Sequence, residues 1–155
     1  MPHIPRGNQK EDVEMKWLKA SPQKRVEYTI SERPLLHACS GQDRLFGDVT
    51  IDIDPRMTPD IVADITKSIP YPDNSFAAAF ADFPWTAAFK KKVANAMKEL
   101  LRVAPIVYTI SPWTYGSSIC ELDEVYIAWQ PGVNQALLFS KYVRKDSIDK
   151  QIKRT

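Results

Sequence analysis

Asp82-Phe83-Pro84-Trp85 closes a run of small apolar residues, Phe76-Ala77-Ala78-Ala79-Phe80-Ala81, and gathers groups able to hold a planar amine. An ionised carboxylate accepts hydrogen bonds and donates none. Pro84 fixes its own φ, lacks an N–H and pushes Phe83 toward an extended conformation, which turns the Phe83 carbonyl outward. Trp85 adds a broad flat face. Two acceptors beside an aromatic plate suit a planar substrate carrying an exocyclic amino group. The alternative is a capped strand end with Trp85 folded into the core.

Such residues need a sheet edge to stand on, and the patterning of the chain supplies one. Pro34–Cys39 reads as a first strand, Asp48–Asp54 alternates as a second, and Ile61–Asp64 makes a short third. Pro70-Tyr71-Pro72-Asp73-Asn74 is turn chemistry. The run Phe76–Ala81 that follows is apolar on both faces, as the centre of a parallel sheet requires. Between Ala87 and Arg102, residues Phe89, Val93, Met97, Leu100 and Leu101 fall at helical spacing with lysines opposite. Ile106–Ile110 is a fifth strand, ending at Ser111-Pro112-Trp113. Val125–Trp129 and Ala136–Tyr142 form an antiparallel hairpin around Gln130–Gln135. Upstream, Val13, Trp17 and Leu18 mark a short helix between Val13 and Arg25. Strands joined by crossovers and finished by a hairpin make one α/β domain over 13–145, between a loose tail at 1–12 and a basic tail at 146–155.

The bulk properties narrow the class. A chain of 155 residues fits one domain with a real core, and 44% hydrophobic with 26% charged residues is ordinary for a globular protein. No apolar run approaches the roughly 20 residues that cross a bilayer, and the first residues carry no secretory signal. Cys39 and Cys120 are far apart, and with two histidines they make no zinc set. These features predict an intracellular, metal-free protein. A net charge of +2 does not by itself argue for nucleic acid. The lysines at 90, 91 and 92 and the basic residues from Lys141 to Arg154 do cluster, although a solvated face is the commoner meaning of such runs.

In this order of elements the chain, from about Leu35 to Arg144, resembles the class I S-adenosylmethionine (SAM)-dependent methyltransferases. That family has a mainly parallel seven-stranded Rossmann-like sheet closed by a hairpin. Three acids match in order: Asp52 at the second strand's end, Asp64 at the third's and Asp82 at the fourth's. The resemblance implies that Asp52 accepts the ribose hydroxyls of SAM, Asp64 meets the adenine edge, and Asp82 lies by the methyl group. It extends the cofactor contacts to Cys39, Ser40 and Gly41 after the first strand, and to Ile53 and Ile65. Pro70 to Phe76 is similar to the family's connection into the fourth strand. Three carboxylates at successive strand ends repel one another unless donors or positive charge meet them, and ligands of open α/β sheets bind at the carboxyl ends of strands. In place of the family's Gly-x-Gly there is only Ser40-Gly41, and Gln42 to Gly47 is too short for the helix that normally follows.

Asp82-Phe83-Pro84-Trp85 also resembles the Asp-Pro-Pro-Tyr/Trp signature of methyltransferases acting on adenine N6 or cytosine N4, with Phe83 replacing the first proline. The resemblance implies that the Asp82 carboxylate and Phe83 carbonyl accept the amino hydrogens, Pro84 shapes the turn, and Trp85 stacks on the base. The implied partner is DNA or RNA, with adenine N6 favoured. Few residues remain for target recognition, which leaves that role to Lys90–Lys92, the loop from Trp113 to Glu121, a second copy or a partner subunit. Trp113 lines the substrate pocket or packs under the hairpin, and Trp17 packs in the core or covers the cofactor. Two other readings stay open: a methyltransferase for a protein or small molecule, and a non-catalytic module of the same fold.

Overall fold

Seven strands in the order β3-β2-β1-β4-β5-β7-β6 form a single sheet in the computed structural model, which describes residues 30–43, 46–128 and 137–148. The expected helix at 13–25 with Trp17, the tail at 1–12, residues 149–155 and the hairpin turn lie outside these. The elements are β1 (Leu35–Ala38), β2 (Val49–Asp52), β3 (Ile61–Val62), β4 (Ala78–Asp82), α1 (Ala87–Lys90), α2 (Val93–Val103), β5 (Ile106–Ser111), β6 (Cys120–Ala128) and β7 (Leu137–Arg144). Strands β1 to β5 pair parallel, and β7 runs antiparallel to both β5 and β6. The chain therefore reverses its direction of growth between β1 and β4. Such a switch point opens a crevice at the carboxyl ends of the two strands.

Burial explains the strand composition. All of β1 is buried, and so is β4 up to Asp82, because both lie mid-sheet with a packed layer on each face. On one face α2 turns Val93, Ala96, Met97, Leu100 and Leu101 onto Leu36, Ala79 and Val107. On the other, Leu35, Phe80, Tyr108 and Phe139 pack with Ile30 and Phe46. Phe46 lies in the short β1–β2 connection, where no helix occurs among the described residues. Its ring meets both His37 and Phe80 edge-on, at 5.4 and 5.5 Å. One aromatic thus covers sheet surface that a crossover helix would otherwise shield. Gly47 makes the passage possible, since its φ is +93° and a Cβ there would lie 2.8 Å from the Cβ of His37.

Three expectations need correction. The single helix over Ala87–Arg102 is two pieces, α1 and α2, broken at Lys91 and Lys92. Thr86 caps α1 by accepting the Phe89 N–H, and the break lets Phe89 lie on Phe83, ring centres 5.1 Å apart, before the α2 stripe begins. The third strand ends at Val62, so Ala63 and Asp64 already belong to the following loop. Strand β6 begins at Cys120 rather than Val125, with an irregular register between Leu122 and Glu124 that breaks the apolar alternation.

Arg102, in the last turn of α2, fastens the long β3–β4 connection. Its guanidinium donates to the carbonyls of Ile69 and Tyr71, both at 2.8 Å, and to the carboxylates of Asp73 at 2.9 Å and Glu99 at 2.6 Å. Arg102→Ala leaves those carbonyls without the donor and is expected to cost about 2–3 kcal/mol of stability, measured by urea unfolding. Arg102→Lys should recover only part, because an ammonium cannot reproduce the planar fork. A loss below about 0.5 kcal/mol, the level of an ordinary surface change, would show that the loop holds itself.

Candidate functional site

The loop after β1 is shaped by two residues in the left-handed region, Cys39 at φ 52° and Gly41 at φ 56°. A Cβ on Gly41 would meet nothing within 4 Å, so the backbone there borders open space. Asp52 ties this loop to β2. Its Oδ2 accepts the Gly41 N–H at 2.8 Å, and its Oδ1 accepts the Asp54 N–H at 2.9 Å. A carboxylate offers about four acceptor positions, so each oxygen retains one. Ser40 is buried, donating its N–H to the Ile51 carbonyl at 3.2 Å; it stiffens the loop and lines neither hollow described below.

Asp64 forms an Asx-type turn. Its Oδ1 accepts from the Thr66 N–H at 2.9 Å and the Thr66 hydroxyl at 2.6 Å, so both turn bonds fall on one oxygen. The Thr66 hydroxyl is the largest cause holding the Asp64 carboxyl below the usual carboxylate range; burial opposes it, and Lys67 and Lys92 assist. A depressed carboxyl stabilises the fold above its unfolded pKa, and that contribution disappears as pH falls through the folded value. Thr66→Val is therefore expected to be less stable than the parent above about pH 5, with the deficit closing as pH falls toward 3, seen by thermal unfolding. A deficit that does not change with pH would show that the hydroxyl does not govern Asp64.

Two joined hollows open along this edge. The first, about 160 Å³, is lined by Cys39, Asp52, Ile53, Asp64, Ile65, Thr66, Pro84, Phe89 and Lys92 among others. The second, about 460 Å³ and broadly open to solvent, is lined by Cys39, Gly41, Asp52, Asp82, Phe83, Pro84 and Trp85. Cys39, Asp52 and Pro84 border both. The three acids thus share one rim, distributed over two adjoining spaces rather than around one. Cys39 stands among them. Burial is the main cause pushing its thiol well above the ordinary range, and the fields of Asp52, Asp82 and Asp64 add to it. A raised thiol pKa disfavours the thiolate, which is the nucleophilic form.

The tetrapeptide divides its labour. The Phe83 side chain is buried, whereas Pro84 is exposed and Trp85 is 40% exposed, so the indole is not folded into the core. Ile53 stands at the lip, 64% exposed, and Ile65 is buried in the wall. Sequence reasoning had not assigned Phe89 or Lys92 to the first hollow. Their separation of three residues, on the segment that follows Trp85, was the available signal. Trp113 lines neither hollow; it packs against the core with the Lys90 ammonium over its ring. Among the described residues no group of three or more His, Cys, Asp or Glu is arranged to hold a metal ion, and no helix is long and apolar enough to cross a membrane.

Solved structures share this architecture. The N-methyltransferase NodS from Bradyrhizobium japonicum WM9 aligns with a TM-score of 0.55 at 11% identity, over 88% of this chain and 97% of that one. Its complex with S-adenosyl-L-homocysteine aligns with a TM-score of 0.54 at 10% identity, over 91% and 90%. A candidate RNA methyltransferase, PH1948 from Pyrococcus horikoshii, gives 0.52 at 8% identity, over 90% and 85%. Likeness at such identities establishes the fold: a single α/β domain of the Rossmann-like methyltransferase type. No family model matches the sequence, and neither does any curated protein.

Proposed function

We propose that this chain is a SAM-dependent methyltransferase that modifies an exocyclic amino group of a nucleic-acid base, adenine N6 in first place. The observation that carries the reading is the common rim of Asp52, Asp64 and Asp82 around two joined hollows, one walled and one open. The residues fit a nucleoside. Asp52 and the Oδ2 of Asp64 retain acceptor capacity for ribose hydroxyls and an adenine amino group, Ile53, Ile65 and Phe89 offer apolar walls, and the space over Gly41 admits an amino-acid tail. When bound, SAM supplies an electrophilic methyl group on a positively charged sulfur.

The chain's own residues then act on the acceptor. Asp82 and the Phe83 carbonyl accept the two amino hydrogens, which draws the nitrogen lone pair out of ring conjugation and aims it toward the first hollow. Trp85 and Pro84 hold the plane of the base. The work is positioning and electrostatics. The openness of the second hollow favours a macromolecular acceptor over a small molecule, which gains most from enclosure. A base within a duplex has to be flipped out to reach Asp82. One observation favours a second reading, a non-catalytic module of this fold. The β1–β2 connection holds no helix among the described residues, and the Gly41 N–H is already given to Asp52.

The test is methyl transfer from radiolabelled SAM to separate pools of DNA, RNA and protein. Label in a nucleic-acid pool is the expected result. Label in protein alone would move the acceptor class, and failure to bind SAM at millimolar concentration would favour the non-catalytic reading.

A further inference from the structure

Trp113, Lys90 and Lys91 border the reaction edge without a role in the chemistry above. Trp113 follows β5, the strand paired directly with β4, so it stands beside the Asp82 end of the sheet. Its indole N–H is shut off from solvent and meets no acceptor among the described residues. The Lys90 ammonium lies over its ring, 5.7 Å from the centroid. Lys90 ends α1 and Lys91 follows it, both exposed, five and six residues beyond the exposed Trp85. Trp113 is half-buried and Lys90 is exposed, and a cation over a ring that is not fully desolvated is held weakly. A nucleobase can take its place on the ring, and the displaced ammonium then has a phosphate within reach.

We propose that Trp113, Lys90 and Lys91 form a track for single-stranded nucleic acid. In it Trp113 stacks a nucleotide flanking the target base, while the two lysines neutralise adjoining phosphates. The inference rests on the nucleic-acid reading of the site. An aromatic face flanked by cations is the recurring means of holding an unpaired strand. Bases inside a duplex already stack on one another and offer no free face. An acidic peptide would engage the lysines and leave the indole unused.

The test uses the full chain saturated with S-adenosylhomocysteine. It compares labelled single-stranded DNA, single-stranded RNA, a duplex of the same sequence and polyglutamate by fluorescence anisotropy. The expected result is binding of a single strand at least about tenfold tighter than the duplex or polyglutamate. The double variant Lys90→Gln, Lys91→Gln should weaken that binding about tenfold at low salt and flatten the logarithmic salt slope by about 1.4, roughly 0.7 per phosphate contact. Trp113→Leu keeps an apolar side chain but no stacking face. It should weaken binding about tenfold and leave the salt slope unchanged; retained S-adenosylhomocysteine binding in each variant shows that it is folded. Wild-type preference for duplex or polyglutamate, or strand binding indifferent to the lysine changes, overturns the track. If the strand binds as expected yet is never methylated, the methyltransferase reading fails and the track stands. If the double variant methylates a strand with unchanged KM, the track fails and the reading stands.

Discussion

Asp82→Ala is expected to slow methyl transfer about 10²–10⁴-fold, the range for loss of a positioned electrostatic or acid–base group, while cofactor affinity changes by less than about tenfold. The expectation follows from where the carboxylate is anchored. Asp82 is the last residue of β4, a strand hydrogen-bonded on both sides, with Ala81 opposite Ala38 and Asp82 opposite Ile110. Its backbone is therefore fixed by the ladder to β5, with the β1 ladder ending one residue before it, rather than by a loop. Phe83 is held next, its ring buried against Phe89, which steadies the peptide whose carbonyl is the proposed second acceptor. An acceptor held in place before the substrate arrives needs no reorganisation during reaction. Asp82→Asn should fall between the parent and Ala, since one of its two terminal atoms still accepts. Single-turnover transfer with labelled SAM separates these cases from changes in binding. Transfer at the parental rate in Asp82→Ala would rule out the amino-group mechanism.

The same ladders explain why so much of this edge was legible in the sequence. Strand ends are marked locally, by Ser40-Gly41 after β1, Asp54-Pro55 after β2 and Phe83-Pro84 after β4; Asp52 and Asp82 take their places from their strands, and Asp64 from the turn that follows β3. The Ala-rich β4 had to lie mid-sheet because it has no polar face to show to water. The rest depended on contacts that leave no periodic trace. Arg102 reaches the carbonyl of Ile69, 33 positions away, and Phe46, in the β1–β2 connection, covers Phe80 of β4. Neither pairing alters the spacing of apolar residues. The break between α1 and α2 was hidden for the opposite reason. Phe89 and Val93 do keep helical spacing, and both meet the same core, Val93 within it and Phe89 from its edge against Phe83, so the apolar stripe runs on across the break. The pattern records that both are covered, and not by what. The division of the site into two hollows was equally invisible, because it depends on Cys39 and Pro84, from the loops after β1 and β4, both bordering the two spaces.

Asp52→Ala should abolish measurable binding of SAM and S-adenosylhomocysteine by calorimetry, a loss of about 100-fold or more. Two charge-assisted hydrogen bonds to a ribose, each worth about 1.5–3 kcal/mol, are enough for that loss. The same carboxylate, however, also accepts from the Gly41 and Asp54 N–H groups, so the alanine variant frees the β1 loop as well as removing the ligand's partner. The two effects have different signatures. Loss of the tethers lowers the melting temperature of the protein alone, whereas loss of the ribose contacts removes the further rise that saturating S-adenosylhomocysteine produces in the parent. Asp52 borders both hollows, so its removal should silence cofactor binding and transfer together, unlike Asp82→Ala. A variant that melts earlier yet still gains the full ligand-induced rise would reduce Asp52 to a loop tether. The acceptor for the ribose would then have to lie elsewhere on the rim.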